Sequence, residues 1–428
     1  MTRGSSIARE VATWIVQTLR EHGHVAYFAG GCVRDELLGL QPKDFDVATD
    51  ARPEKIGSLF PRTAHVGAAF GVMLVRHQGV TVEVATFRAD GTYTDRRRPD
   101  QVTFADELAD ARRRDFTVNA LFLDPLKDIS SADRVVDHVG GVADLGARVL
   151  RAVGDADQRL REDDLRALRA VRLSTRLGFT IEESTREAIR RHAGELSGIS
   201  RERIGEEIRL MLAHETRAQA ISTLGALALD TPTFGRVARA VPGHSLAKLR
   251  IPKNPDCGLI AGTLAAVLMD REEDLLVEDS AAGEGRRLEV LRETRQALCL
   301  SNEERDDCLA ILKLLSLLRR EWEWAGEARR KRAAASRGFA WANELFRTVD
   351  ASRAASVDRV VDELGRRHGG IRPEALVTGD DLVAAGLSPG PAFRTVLERV
   401  YDAQLEGRIT EKAGGMMLAR ELFGNAGV

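Results

Sequence analysis

The sequence has little cysteine: Cys32, Cys257, Cys299 and Cys308 are the only four in 428 residues, and none stands in a CxxC pair. That argues against a zinc ribbon or a disulfide framework and makes the cytoplasm the expected location. It has no His-Asp dipeptide, and its nine histidines are scattered, so a His/Asp metal phosphohydrolase domain is not indicated. Its uncharged apolar runs fall short of the ~18 residues that a membrane span needs, so no membrane partner is expected. Aromatics make up 5% and the formal charge is only −2. The chain as a whole is therefore not a basic nucleic-acid binder, and any such contact must come from local patches. No repeat recurs at a solenoid period. The opening stretch MTRGSSIAREVATWIVQTLR carries charges through its apolar pattern, which predicts an amphipathic helix and not a signal peptide.

What is present falls into two patterns. From Val25 to about Leu150, short β-like runs such as HVAYFAGG, DFDVAT, GVMLVRH and VTVEVATF alternate with turn residues. These predict a mixed α/β domain with a small sheet. From about Asp157 onward, leucine, alanine and arginine recur at spacings of three and four, which predicts an almost wholly helical remainder. The fold class is thus α+β, and the length suggests roughly two to four domains. Breaks are expected near Gly154 and at residues 241–258, 278–287 and 325–338. The basic run at 329–337 reads most simply as a solvated helix face, with an RNA-backbone contact as the sharper alternative.

The strongest chemical signal is FAGGCVRDELLGLQPKDFDVATD. Asp44 and Asp46 stand two apart in a β-like run, so both carboxylates face one way. Two such carboxylates repel unless a cation lies between them, and hard oxygen ligands suit Mg²⁺, which also binds phosphate. Upstream, Gly30 and Gly31 let backbone amides approach a phosphate at the start of a predicted helix, and Arg34 lies one turn in.

These residues resemble the nucleotide-binding signature of the class II tRNA nucleotidyltransferase and bacterial poly(A) polymerase family, with its polymerase-β-like head. The resemblance implies that Asp44 and Asp46 bind the catalytic metal and that Gly31 and Arg34 contact phosphate. Glu83, in VEVATFR, is the candidate third carboxylate, with a salt bridge to Arg88 or another basic residue as its alternative role. RRRDFTVNAL resembles the family's RRDFTINAL motif, which implies that Arg114 grips the triphosphate and that Asp115 and Asn119 meet the ribose. A carboxylate and an amide suit a hydroxyl that both donates and accepts.

DGTYTDRRRPDQVTF resembles the family's flexible loop, although Arg96 stands where Gly is usual. Members that add only C have this loop shortened; here it is complete, which favours an enzyme able to add A. Residues 137–154 resemble the hinge between head and neck.

The stretch REDDLRALRAVRLSTRLGF is predicted to be one helix, with Asp163, Arg166, Arg169 and Arg172 along a drifting stripe. It resembles the family's EDxxR motif, with Asp164 where many relatives have Pro. Cytosine and adenine each present an amine donor beside a ring-nitrogen acceptor, whereas uracil and guanine present a carbonyl beside an N–H. An ionised Asp only accepts and an Arg only donates. An Asp–Arg pair therefore complements C and A, and a wrong base leaves a charged group unpaired, at ~1–3 kcal/mol or more. ISRERIGEEIRLML resembles the neck motif around ERIxxE, whose charges are expected to brace helices. LVTGDDLVAAGLSPGPAFRTVLERVYDAQLEGRIT resembles the tail of bacterial members.

The resemblance implies a head at 1–155, a neck for nucleotide selection at 156–215, an RNA-binding body at 216–350 and a tRNA-binding tail at 351–428. It implies template-independent addition of CCA to a tRNA 3′ end, using CTP and ATP with Mg²⁺. Poly(A) polymerase, or a tRNA enzyme adding only A, is the alternative, and a non-catalytic RNA-binding protein is the remote one. The chain's short, non-basic C-terminus and the VGAAFGVMLVRH strand favour the tRNA enzyme over poly(A) polymerase.

Overall fold

The structure is a computed structural model. It describes residues 3–65, 71–91, 102–235, 244–271, 281–367, 369–387 and 390–425. The chain forms two compact units, one of Met1–Met211 with Thr223–Thr233, the other of Leu212–Ser222 with Phe234–Val428.

The first unit opens with helix α1 (Arg3–Glu21). It buries Val11, Ala12, Ile15, Val16 and Leu19, the one-face stripe of an amphipathic helix. There follow β1 (Ala26–Ala29), α2 (Gly31–Leu37), β2 (Asp46–Thr49), α3 (Pro53–Leu59), β3 (Thr63–His65), β4 (Val72–His77) and β5 (Val80–Thr86). A two-stranded ribbon of β6 (Arg88–Asp90) and β7 (Val102–Phe104) leads into α4 (Glu107–Arg112), β8 (Leu121–Leu123), β9 (Val135–Asp137), α5 (Gly141–Ala147) and β10 (Val149–Leu150). Among the described residues, the main sheet has seven strands in the order β3-β4-β5-β2-β1-β8-β9, with β2 and β5 parallel and the other pairs antiparallel. Alternation along the strands sends successive residues to opposite faces. Phe28, Val47 and Val84 pack with the α1 stripe, while Ala29, Ala48, Phe87 and Phe122 form a second cluster.

Helices α6 (Ala156–Glu162), α7 (Arg166–Leu177), α8 (Glu183–His192) and α9 (Arg201–Ala213) follow, with a short strand β11 (Thr180–Ile181) paired parallel to β10. The single helix expected over 161–179 is broken. Asp163 is extended (φ −154°, ψ 102°), its carboxylate accepts the Leu165 N–H (3.2 Å) and its carbonyl accepts the Arg166 N–H (3.0 Å). Asp competes with helix by bonding its own neighbouring backbone in this way. The extended form is also the one that a following Pro would impose, although Asp164 stands there.

In the second unit, helices Leu259–Arg271, Asn302–Arg320 and Phe339–Val349 surround Trp341, which is fully buried. A Cβ at Gly262 would lie 2.3 Å from the Trp341 ring, so only glycine admits this approach. Helices Gly379–Ala384, Pro391–Leu405 and Lys412–Asn425 share a smaller core around Leu382, Val400 and Ala419.

The basic run at 329–337 is not a plain solvated face. Lys331 is 1% exposed and donates to the Leu405 carbonyl (2.8 Å). Arg332 pairs with Asp402 (2.5 Å), Arg337 with Asp307 (2.7 Å) and Arg329 with Glu321. Among the described residues, no helix is long and apolar enough to cross a membrane. Residues 92–101 of the stretch that resembles the family's loop, and Ser388 and Pro389 of the stretch that resembles its tail, lie outside the described residues.

Candidate functional site

A cavity of about 540 Å³ opens in the first unit. Of the residues singled out from the sequence, all except Asp44 and Glu83 line it. Arg88, Asp90, Arg113, Leu173 and Arg176 line it as well, and these were not anticipated as site residues. Among the described residues, eight arginines against four aspartates give its wall a positive excess, which suits a polyanion such as a triphosphate.

One end is built by α2 and the segment before β8. Gly30 has φ +76°, a conformation that favours glycine, and a Cβ there would sit 3.0 Å from Arg114 Nη1 and press on that side chain. Gly31 begins α2. Arg34 is 4% exposed. Its Nη1 donates to Asn119 Oδ1 (2.6 Å) and its Nε and Nη2 to Asp35 Oδ1 (2.8 and 2.6 Å). Arg176 of α7 reaches the other Asp35 oxygen at 3.5 Å. Arg114 donates to Asp110 and to the Asn119 carbonyl, and its cation lies 5.0 Å from the Phe122 ring centre. Arg88 and Arg113 both pair with Asp90, at 3.0 and 3.7 Å.

The middle of the cavity holds Asp115, Asn119 and Arg169. Asp115 Oδ1 accepts the Phe116 N–H (2.8 Å) and Asn119 Nδ2 (3.1 Å), and Oδ2 accepts Arg169 Nε and Nη2 (2.9 and 2.6 Å). Burial alone would raise this carboxyl, but Arg169, Asn119 and Arg166 bring its pKa down to about 2. Four donors fill the roughly four acceptor positions of a carboxylate. In this structure Asp115 therefore anchors Arg169 and Asn119, and a ribose hydroxyl would reach it only by displacing one of them. Asn119 retains an amide hydrogen and a lone pair beyond these bonds.

At the other end, Asp163 and Arg166 face the cavity, each held by a different partner. Arg203 Nη2 donates to Asp163 Oδ2 (2.7 Å). Arg166 Nη1 donates to Glu162 (2.6 Å) and to the Arg159 carbonyl (2.6 Å). Arg172 is braced by Glu207 (2.6 Å). The α9 segment carrying Arg203 and Glu207 thus supports the wall without lining it. Asp164 is buried and is not a lining residue.

The acidic edge lies at the start of β2, with Asp44 just before the strand, and on β5. Asp44 and Asp46 are exposed on either side of Phe45, which is buried against Phe28 (ring centres 5.3 Å apart). Val47 is in register with Val84, so Asp46 and Glu83 stand beside each other on parallel strands and share a face. Desolvation in the cleft, then Glu83 and Asp44, push the Asp46 carboxyl up to about 6, with Arg114 opposing. Mutually repelling carboxylates with hard oxygen donors fit a divalent cation. Among the described residues, no three His, Cys, Asp or Glu side chains are grouped so that together they could hold a metal ion. Glu83 is Asp46's neighbour, and Arg88 has Asp90 as a partner.

The poly A polymerase head domain family matches residues 26–151, and the family described as the probable RNA and SrmB-binding site of polymerase A matches 178–229. The CCA-adding enzyme of Geobacillus kaustophilus is 34% identical over 410 residues, which cover 94% of this chain and 93% of that one. That of Geobacillus stearothermophilus is 33% identical over 416 residues, covering 93% of each. The crystal structure of the Bacillus stearothermophilus CCA-adding enzyme in complex with CTP superposes with a TM-score of 0.76 at 29% identity, over 97% of this chain and 98% of that one. The Thermotoga maritima CCA-adding enzyme complexed with tRNA shares the fold, with a TM-score of 0.63 at 17% identity, over 97% of this chain and 95% of that one. A third of its residues shared along almost the whole length of both chains makes this chain a member of the CCA-adding enzyme family.

Proposed function

We propose that the chain adds CCA to the 3′ end of tRNA, taking CTP and ATP in turn and releasing pyrophosphate. One observation carries the reading: a single arginine-rich cavity brings together a phosphate end (Gly30, Gly31, Arg34, Arg114), a sugar side (Asp115, Asn119) and a base end (Asp163, Arg166), with Asp46 at its edge. Arg34 and Arg114 bind the triphosphate. Asn119, held in place by Asp115, meets the ribose, and Arg169 and Arg172 keep the wall in place. Asp163 and Arg166 read the base edge, accepting from and donating to C or A. Asp44 and Asp46, with Glu83 beside them, are the residues that would hold Mg²⁺. Held there, Mg²⁺ would polarise the tRNA 3′-hydroxyl and offset charge on the leaving pyrophosphate. Residues 1–155 serve as head, 156–215 as the selecting neck, 216–350 as RNA-binding body and 351–428 as tRNA-binding tail. The enzyme acts in the cytoplasm, in keeping with its four cysteines, none of them in a disulfide.

The test uses tRNA transcripts ending before CCA, after C and after CC, each with Mg²⁺ and CTP, ATP or both, and weighs the products. Completion of all three to CCA and no further is the expected result. Extension of the CC-ended transcript alone would mean an A-adding enzyme, and long A tails on any RNA would mean a poly(A) polymerase.

A further inference from the structure

Arg114 has a role in the reading above, and what aims it is visible in the structure. Its Nε and Nη2 donate to Asp110 Oδ2 (3.1 and 2.9 Å), and its Nη1 donates to the Asn119 carbonyl (3.2 Å). A guanidinium has five N–H donors, so one hydrogen remains on each of Nη1 and Nη2 for the cavity. The other Asp110 oxygen accepts Arg113 Nε and Nη2 (2.9 and 2.6 Å) and the Arg88 backbone N–H (3.4 Å). One carboxylate therefore ties together three of the arginines that line the cavity, yet Asp110 does not line it.

Asp110 is 1% exposed. It sits on α4, three and four residues before Arg113 and Arg114, the spacing at which a continuing helical turn brings side chains together. Its own burial would raise its pKa, but Arg114 and Arg113 hold it below the usual carboxylate range, so it stays charged. Around it the cations crowd: burial, then the Arg113 charge, lower the pKa of Arg88. Without a carboxylate here, Arg113 and Arg114 would repel each other and the Arg114 fork would lose the edge that fixes its plane.

We propose that Asp110 is a positioning residue for nucleotidyl transfer, turning the Arg114 fork toward the triphosphate without touching substrate. This rests on Arg114 being the triphosphate ligand, and the experiment separates the two claims.

The full chain is made as Asp110→Asn, Asp110→Glu, Arg114→Ala and the Asp110→Asn/Arg114→Ala double variant. Binding of CTP and of inorganic tripolyphosphate is measured by calorimetry, and KM for nucleotide and for tRNA separately, all well below each variant's Tm. Asp110→Asn is expected to weaken both ligands, and to raise KM for CTP and ATP, on the order of tenfold, with KM for tRNA unchanged. Asp110→Glu should fall between it and wild type. In the Arg114→Ala background, Asp110→Asn should cost less than about twofold, because its effect runs through Arg114. A full loss in that background, wild-type tripolyphosphate binding by Asp110→Asn, or an equal rise in KM for tRNA would overturn the inference. Normal CTP binding by Arg114→Ala would overturn the Arg114 assignment and this inference together. If Asp110→Asn does not fold, Asp110→Glu carries the test, and wild-type tripolyphosphate affinity there contradicts the proposal.

Discussion

The two units use arginine differently. In the first, Arg34, Arg88, Arg113, Arg114, Arg166, Arg169, Arg172 and Arg176 converge on one concave wall. Several are held from behind by buried acids such as Asp35, Asp110 and Glu207. In the second, the densest basic run is taken up by acids and carbonyls of the same unit: Lys331 by Leu405, Arg332 by Asp402, Arg337 by Asp307. A charge run in sequence therefore does not by itself mark a binding surface. What marks one is cations that share a cavity, with their acids behind them.

The comparison breaks most visibly if the acids at the cavity's edge prove dispensable. Replacing Asp44 and Asp46 together with Ala should lower kcat at least about 100-fold, measured as single-turnover CTP addition. Unchanged turnover would remove the metal assignment. The contrast sharpens with Lys331→Ala, which strips the Leu405 carbonyl of its buried donor. That change should destabilise the second unit by about 1–3 kcal/mol, seen in thermal or urea unfolding, while CTP affinity stays at the wild-type value. A loss of CTP affinity would mean that the run belongs to the site after all.

A smaller effect concerns pH. The folded-state pKa of Asp46, about 6, lies above its ordinary value of 3.8. Ionised Asp46 is therefore a penalty on the metal-free fold that is absent at low pH and grows as pH rises from about 4 through about 6. Mg²⁺ offsets that penalty, so the rise in Tm on adding Mg²⁺ should be larger at pH 7.5 than at pH 5. An equal shift at both would place the cation elsewhere.

Much of the site was legible because it is local. Gly30, Gly31, Arg34 and Asp46 lie within one strand–helix–strand segment, where alternation and helix spacing fix which way each side chain points. The α7 arginines follow from the same period. The break at Asp163 was not legible, because a local Asx bond outcompeted a helical pattern that continues on both sides of it. Arg88, Asp90, Arg113 and Arg176 were missed as site residues for another reason. Arg88 and Asp90 sit on a two-stranded ribbon, and Arg176 is linked to Asp35 across 141 residues of chain. The buried state of Lys331 depends on Leu405, 74 residues away, and no window of sequence around the basic run contains it.

The central claim is that Asp163 and Arg166 select the base. The most direct measurement is the relative rate of adding C, A, U and G to tRNA lacking CCA, by wild type and by Asp163→Asn and Arg166→Ala. The account predicts that wild type prefers C over U by at least about tenfold, and that each variant loses most of that preference. Variants that slow all four nucleotides equally, with the preference intact, would contradict it.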